Sequence, residues 1–208
     1  MPTSATLNLG ATARQPRQAR SRQRFAEVLR AAEELLRAGG LRQFSIPQIA
    51  ERLDCSRNAI YKFFPTPYAL LNELTQRKLQ EHERVLETIA KDDPAPNWQA
   101  MVERIAAGAA EYYDANPVAS LLILGGSATD DSSRLLELTV HHLGGHVRRM
   151  MAAYGHHLPE GQPDVATMTA EIGSAAFRLS YHVHQHITPA YQAEAARAMI
   201  AYLSLYAR

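Results

Sequence analysis

The sequence predicts an all-α chain of about nine helices, and three observations carry that reading. Apolar residues recur at three- and four-residue spacing through most of the 208 residues. No stretch keeps a sustained period of two, which a half-buried strand would need. Ser, Thr, Pro and Gly fall where helices start and stop, and no fixed repeat period marks a solenoid.

Residues 1–20 carry Arg14, Arg17 and Arg20 among small and polar residues, with no acid and no apolar periodicity, so they read as a disordered basic arm. The first helix is expected from Ser21, with Phe25, Val28, Leu29, Ala32, Leu35 and Leu36 on one face, and it stops at Gly39-Gly40. Ser45 then serves as an N-cap, with Pro47 in the first turn and Gln48 at the capping-box position, and this second helix ends near Leu53. Asp54-Cys55 makes a tight connection to Ser56, the N-cap of a third helix running through Arg57, Asn58, Ala59, Ile60, Tyr61 and Lys62. Two short helices joined by a few residues form a helix-turn-helix, so residues 21–66 are assigned to one domain.

Thr66 and Pro67 open a long fourth helix, and residues 67–208 form the second domain. Lys91 to Asn97 is a Pro/Asp loop. Helices follow over Trp98–Asn116, Pro117–Leu124, Asp131–Tyr154, Val165–Ile187 and Pro189–Tyr206, broken by Gly125-Gly126 and by the Pro/Gly stretch from Leu158 to Asp164.

Charge points to chemistry once it is divided along the chain. Residues 1–66 hold 11 Lys/Arg against 5 Asp/Glu, whereas residues 67–208 hold 11 against 16. The first part suits a polyanion, and the third helix offers it the right groups. Arg57 can bridge guanine O6 and N7, Asn58 adenine N6 and N7, and Tyr61 and Lys62 suit phosphate oxygens. Ile60 and Phe64, four apart, would face helix 1 and fix this recognition helix.

Residues 22–71 resemble the N-terminal DNA-binding domain of TetR-family transcriptional regulators. The resemblance is carried by Ser45-Ile46-Pro47-Gln48-Ile49-Ala50-Glu51-Arg52-Leu53 and by Tyr61, Phe64, Pro65 and Thr66, which match the family's Tyr-x-x-Phe run and the Pro-Ser/Thr after it. It implies that Ser45, Ser56, Arg57, Asn58, Tyr61, Lys62 and Thr66 contact double-stranded operator DNA. Two positions depart from the family pattern: Cys55 stands where a turn glycine is usual, and Pro67 where a phosphate-binding lysine is usual. The resemblance further implies a ligand-binding and dimerisation domain, a homodimer on a palindromic operator, and a repressor released by a small, largely apolar effector.

The expected ligand-binding residues are Met101, Ile105, Tyr112, Leu121, Phe177 and Tyr181. The expected dimer interface takes Ile172, Ala176, Leu179 and Val183 from one helix and Tyr191, Ala195, Met199 and Tyr202 from the last. The same stripes could instead fill the monomer's own core. The histidine pairs His142/His146 and His182/His186 have the i, i+4 spacing of metal ligands and equally of a polar helix face, and no metal or cofactor is assigned to them. Alternatives are a C-terminal domain that binds a protein partner or a metal, or an all-helical enzyme. For an enzyme there is no Gly-rich phosphate loop, no HExxH run and no nucleophile with a marked base. The single cysteine, the lack of a bilayer-length apolar run and the lack of a signal-like start predict a cytoplasmic chain without a membrane partner.

Overall fold

The computed structural model describes residues 12–92, 95–125 and 143–207. All regular structure among them is helical. They divide into two compact units, one of residues 12–77 and one of the described residues from 78 onward.

In the first unit α1 (Ala19–Gly39) buries Phe25, Val28, Leu29, Ala32 and Leu36. It starts two residues before Ser21, with Gln18 as an N-cap that makes no side-chain cap bond. Gly40, at φ 61°, then turns the chain into a 3-10 turn (Gly40–Gln43), a left-handed conformation that glycine adopts without a Cβ clash. α2 (Ile46–Arg52) and α3 (Arg57–Tyr61) follow, capped by Ser45 Oγ on the Gln48 N–H at 3.4 Å and by Ser56 Oγ on the Ala59 N–H at 3.3 Å. α4 (Pro67–Asp92) opens with Thr66 Oγ1 accepting from the Ala69 N–H at 3.1 Å. Each such cap is worth about 1 kcal/mol to its helix.

The core of this unit is the set Val28, Ile46, Ile49, Ile60, Phe64 and Leu70, all essentially inaccessible. Residues 12–18 lie before α1, and the Arg14 N–H donates to Phe63 O at 2.7 Å. Gln15 donates to Glu73 at 2.9 Å. The basic segment expected to be disordered is therefore tied down from Arg14 onward, and residues 1–11 lie outside the described part.

The second unit contains the rest of α4, α5 (Trp98–Ala115), α6 (Pro117–Ala119) running into a π-helical turn (Ser120–Leu124), α7 (helical over 143–153), α8 (Val165–His184) and α9 (Pro189–Ser204). Asn97, Asp164 and Thr188 cap α5, α8 and α9. Trp98, Met101, Val102, Met151, Val165 and Leu203 form the centre of its core. The hydroxyl of Tyr154 donates to Ala95 O at 3.0 Å and accepts from Ala95 N at 3.2 Å, pinning the chain ahead of α5 to the end of α7.

α8 stops at His184 rather than at Ile187. Gln185 takes a left-handed conformation at φ 63°, and Ser180 Oγ accepts from Thr188 N and donates to His186 O. Asp114 accepts from the Ile187 N–H at 3.0 Å. His182 and His186 consequently do not share a helix face, which corrects the i, i+4 expectation for that pair. His142, with the start of the helix expected from Asp131, lies outside the described residues.

Candidate nucleic-acid interface and ligand cavity

The first unit turns one face of α3 outward and locks the other in place. Arg57, Asn58, Tyr61 and Lys62 are exposed, and among the described residues no hydrogen bond or ion pair engages their side chains. Ile60 and Phe64 are fully buried, and the Phe64 ring stacks on Phe25 of α1 with centroids 4.7 Å apart. Phe63 meets Phe25 edge-on at 5.8 Å, and the Arg77 guanidinium lies 5.6 Å from the Phe25 ring centre. The aromatic lock orients a five-residue helix too short to hold itself.

The turn before α3 explains one departure from the family pattern. Among the described residues outside glycine, positive φ occurs only at Asp54 (45°) and Gln185. The left-handed position is thus held by Asp54, a residue type that tolerates it, and Cys55 needs no glycine-like freedom. Ser45 and Thr66 are half-buried, and Ser56 is exposed.

The second unit holds a cavity of about 630 Å³, within the range of small-molecule sites. Its wall is mainly apolar, with Leu86, Met101, Ile105, Met150, Phe177 and Met199 from five helices. Glu87, Lys91 and Arg149 add charged groups to the lining and His146 a polar one, and Lys91 and Arg149 are exposed. Gly173 also lines it, and a Cβ built there would stand 2.6 Å from Met199 Sδ, so α8 and α9 approach through this glycine.

The cavity's polar wall includes His82, Tyr113 and Ser174. His82 is 4% exposed, with its ring 5.1 Å from that of Tyr112 and 4.8 Å from that of Tyr113. Neither ring nitrogen has a hydrogen-bond partner. Burial pushes its pKa down to about 4, against the raising effect of the Glu83 carboxylate, so the ring is neutral at physiological pH. A buried donor or acceptor left without a partner costs about 1–3 kcal/mol. Burial likewise holds the Tyr113 hydroxyl in its protonated form, above the usual tyrosine range, with Arg178 opposing.

Of the expected ligand residues, Met101, Ile105 and Phe177 line the cavity and the other three do not. Tyr112 turns away to donate its hydroxyl to Lys78 O at 2.8 Å. Leu121 sits in the π-helical turn and Tyr181 in the last turn of α8, both half-buried. Of the expected interface residues, Leu179 and Val183 are exposed at 54% and 60%, with Ile172 and Ala176 half-buried on the same helix. Ala195 and Met199 are instead buried inside the unit, and Met199 faces the cavity. They belong to the monomer's core, because α9 carries apolar residues on more than one side. Tyr191 and Tyr202 are half-buried, beside His184 and Tyr206.

Glu83, Glu87 and His146 come within metal-ligating reach of one another. Their hydrogen bonding favours a different reading. The Arg149 guanidinium can only donate, so His146 Nδ1 accepts from it at 2.9 Å and Nε2 carries the proton given to Glu83 Oε1 at 2.7 Å. The imidazole is saturated as one link of an ion-pair chain.

The described residues thus form two helical units, one a helix-turn-helix with an outward polar face on α3 and one with a largely apolar cavity. Residues 28–74 match the family model described as bacterial regulatory proteins, tetR family. The fold is shared with a TetR/AcrR-family transcriptional regulator from Thermobifida fusca YX-ER1, at 20% identity and TM-score 0.59 over 89% of this chain and 100% of that one. A TetR-family regulator from Streptomyces coelicolor aligns at 18% identity and TM-score 0.60 over 88% and 99%. A transcriptional regulator from Rhodococcus sp. Rha1 aligns at 13% and 0.64 over 86% and 95%. No curated protein matches the sequence. The helix-turn-helix unit is thus similar to the DNA-binding domain of the tetR family, as the resemblance in its sequence implies, and the chain shares the fold of these solved structures.

Proposed function

We propose that the chain is a homodimeric repressor that grips a palindromic operator through α3 and releases it when a small, largely apolar molecule fills the cavity. The observation that carries the DNA half is the outward face of α3. Arg57 and Asn58 read base edges, Tyr61, Lys62, Ser45, Ser56 and Thr66 hold phosphates, and Phe25 and Phe64 keep the helix at a fixed angle. Two copies reading half-sites one helical turn apart supply the specificity that one five-residue helix lacks. Leu179 and Val183, with Ile172 and Ala176 behind them, are the apolar surface of the second unit that supports dimerisation through α8. The 630 Å³ cavity supports a ligand in preference to a protein partner as the signal.

The test is titration of the protein into labelled DNA from upstream of its own coding region, followed by genome-wide site selection, at two salt concentrations. Saturable, salt-sensitive binding that drops by at least about tenfold in Tyr61→Ala/Lys62→Ala is expected, since two phosphate contacts go. Equal binding by the variant would overturn the assignment of α3.

A further inference from the structure

We infer that His82 is the polar anchor of the cavity, and that the molecule it takes is an uncharged, largely apolar compound bearing a hydroxyl that hydrogen-bonds to this imidazole. The inference deepens the ligand-binding reading above and rests on it.

Three features of the site lead there. The imidazole is the cavity-lining side chain with both of its polar atoms buried and unpartnered, and the tilted rings of Tyr112 and Tyr113 pack beside it. Two further polar groups of the wall are already committed, Tyr154 to Ala95, and His146 to Glu83 and Arg149, while the Tyr113 and Ser174 hydroxyls add polar atoms beside the imidazole. Leu86, Met101, Ile105, Met150 and Phe177 make the wall otherwise largely apolar.

A neutral imidazole has one donor nitrogen and one acceptor nitrogen. A hydroxyl, donor and acceptor in one atom, can serve whichever of the two it meets. A carboxylate would lose its hydration against an apolar wall, and no buried cation faces it there among the lining residues. An unsubstituted hydrocarbon would fit by shape but leave both nitrogens without a partner. Discrimination follows from that difference, because a site built to pair a polar group rejects the analogue lacking it.

The position is legible in sequence only after the fact. His82 stands among Leu79, Leu86 and Ile89, on the apolar stripe of α4 where a polar residue is out of pattern.

The experiment uses a matched pair of probes, 2-naphthol and naphthalene, titrated against the full chain by fluorescence at pH 7.5. Wild type is expected to bind 2-naphthol about tenfold more tightly than naphthalene. In His82→Leu that preference should shrink to within about twofold, with naphthalene bound at least as well as before. His82→Asn, which keeps a donor and an acceptor, should retain part of the preference. Imidazole nitrogen resonances of wild type supply a reading that does not depend on a variant folding: those of His82 should shift with 2-naphthol and stay near their free positions with naphthalene. Equal affinities in wild type, or a preference that survives His82→Leu, would overturn the anchor while leaving the cavity a binding site. Failure of both probes to bind wild type would overturn the ligand reading itself, and the anchor with it.

Discussion

At the scale of single residues, His82 gives the second unit a pH dependence that can be worked out in sign. Its ring has a pKa of about 4 in the folded chain and an ordinary value of 6.5 when exposed. As pH falls, the unfolded chain takes up the proton first, so protonation favours unfolding. The stabilisation is complete above about pH 6.5, declines as pH falls toward 4, and is gone below that; in full it is worth about 3 kcal/mol. Glu83 is the charged neighbour, and Tyr112 and Tyr113 pack beside the ring. Urea melts at pH 7.5, 5.5 and 4.5 should show wild type losing more stability than His82→Leu across that interval. Parallel losses in the two proteins would mean that other groups govern the acid limb. Sequence pattern alone does not single out His82, since a lone histidine on an apolar helix stripe carries no partner spacing and eight of the nine histidines lie beyond residue 140. Burial of the ninth comes from α5, which meets α4 only in the fold.

Whole elements were easier to read where their signals were local. The caps at Ser45, Ser56 and Thr66 and the pairing of Phe64 with helix 1 follow from spacing over a few residues, and the structure reproduces them. The end of α8 was not readable, because the chain turns at a left-handed Gln185 and Ile187 just beyond it donates to Asp114, 73 residues away. For α3 the division of labour predicts opposite outcomes from neighbouring substitutions. Phe64→Ala removes the ring stacked on Phe25 and should cost about 3–5 kcal/mol in urea unfolding, taking DNA binding with it. Tyr61→Ala/Lys62→Ala removes only exposed groups and should stay within about 0.5 kcal/mol of wild type per site while DNA affinity falls. A stability loss of equal size in both would show that the outward face is structural.

At the scale of the molecule, assembly is the property that periodicity resolved least. The stripe on α8 and the stripe on α9 look alike in sequence, yet Leu179 and Val183 are exposed whereas Ala195 and Met199 are core. Only the packing of α9 against α8 separates them. If α8 forms the proposed dimer, Leu179→Glu/Val183→Glu should yield a folded monomer in sedimentation at tens of micromolar, with helical circular dichroism unchanged, since paired acids cannot be desolvated across a two-fold axis. A dimer of undiminished stability would move the interface elsewhere. The contact of Gly173 with Met199 carries a different kind of consequence. The cavity wall there is a flexible thioether leaning on a missing methyl group, so one nucleotide change at that codon would displace the sulfur and reshape the chamber. Every side chain proposed to contact DNA belongs to the other compact unit. Under the proposed function, a lineage carrying this gene therefore has a short mutational route to a new chemical signal that keeps its old address on the chromosome.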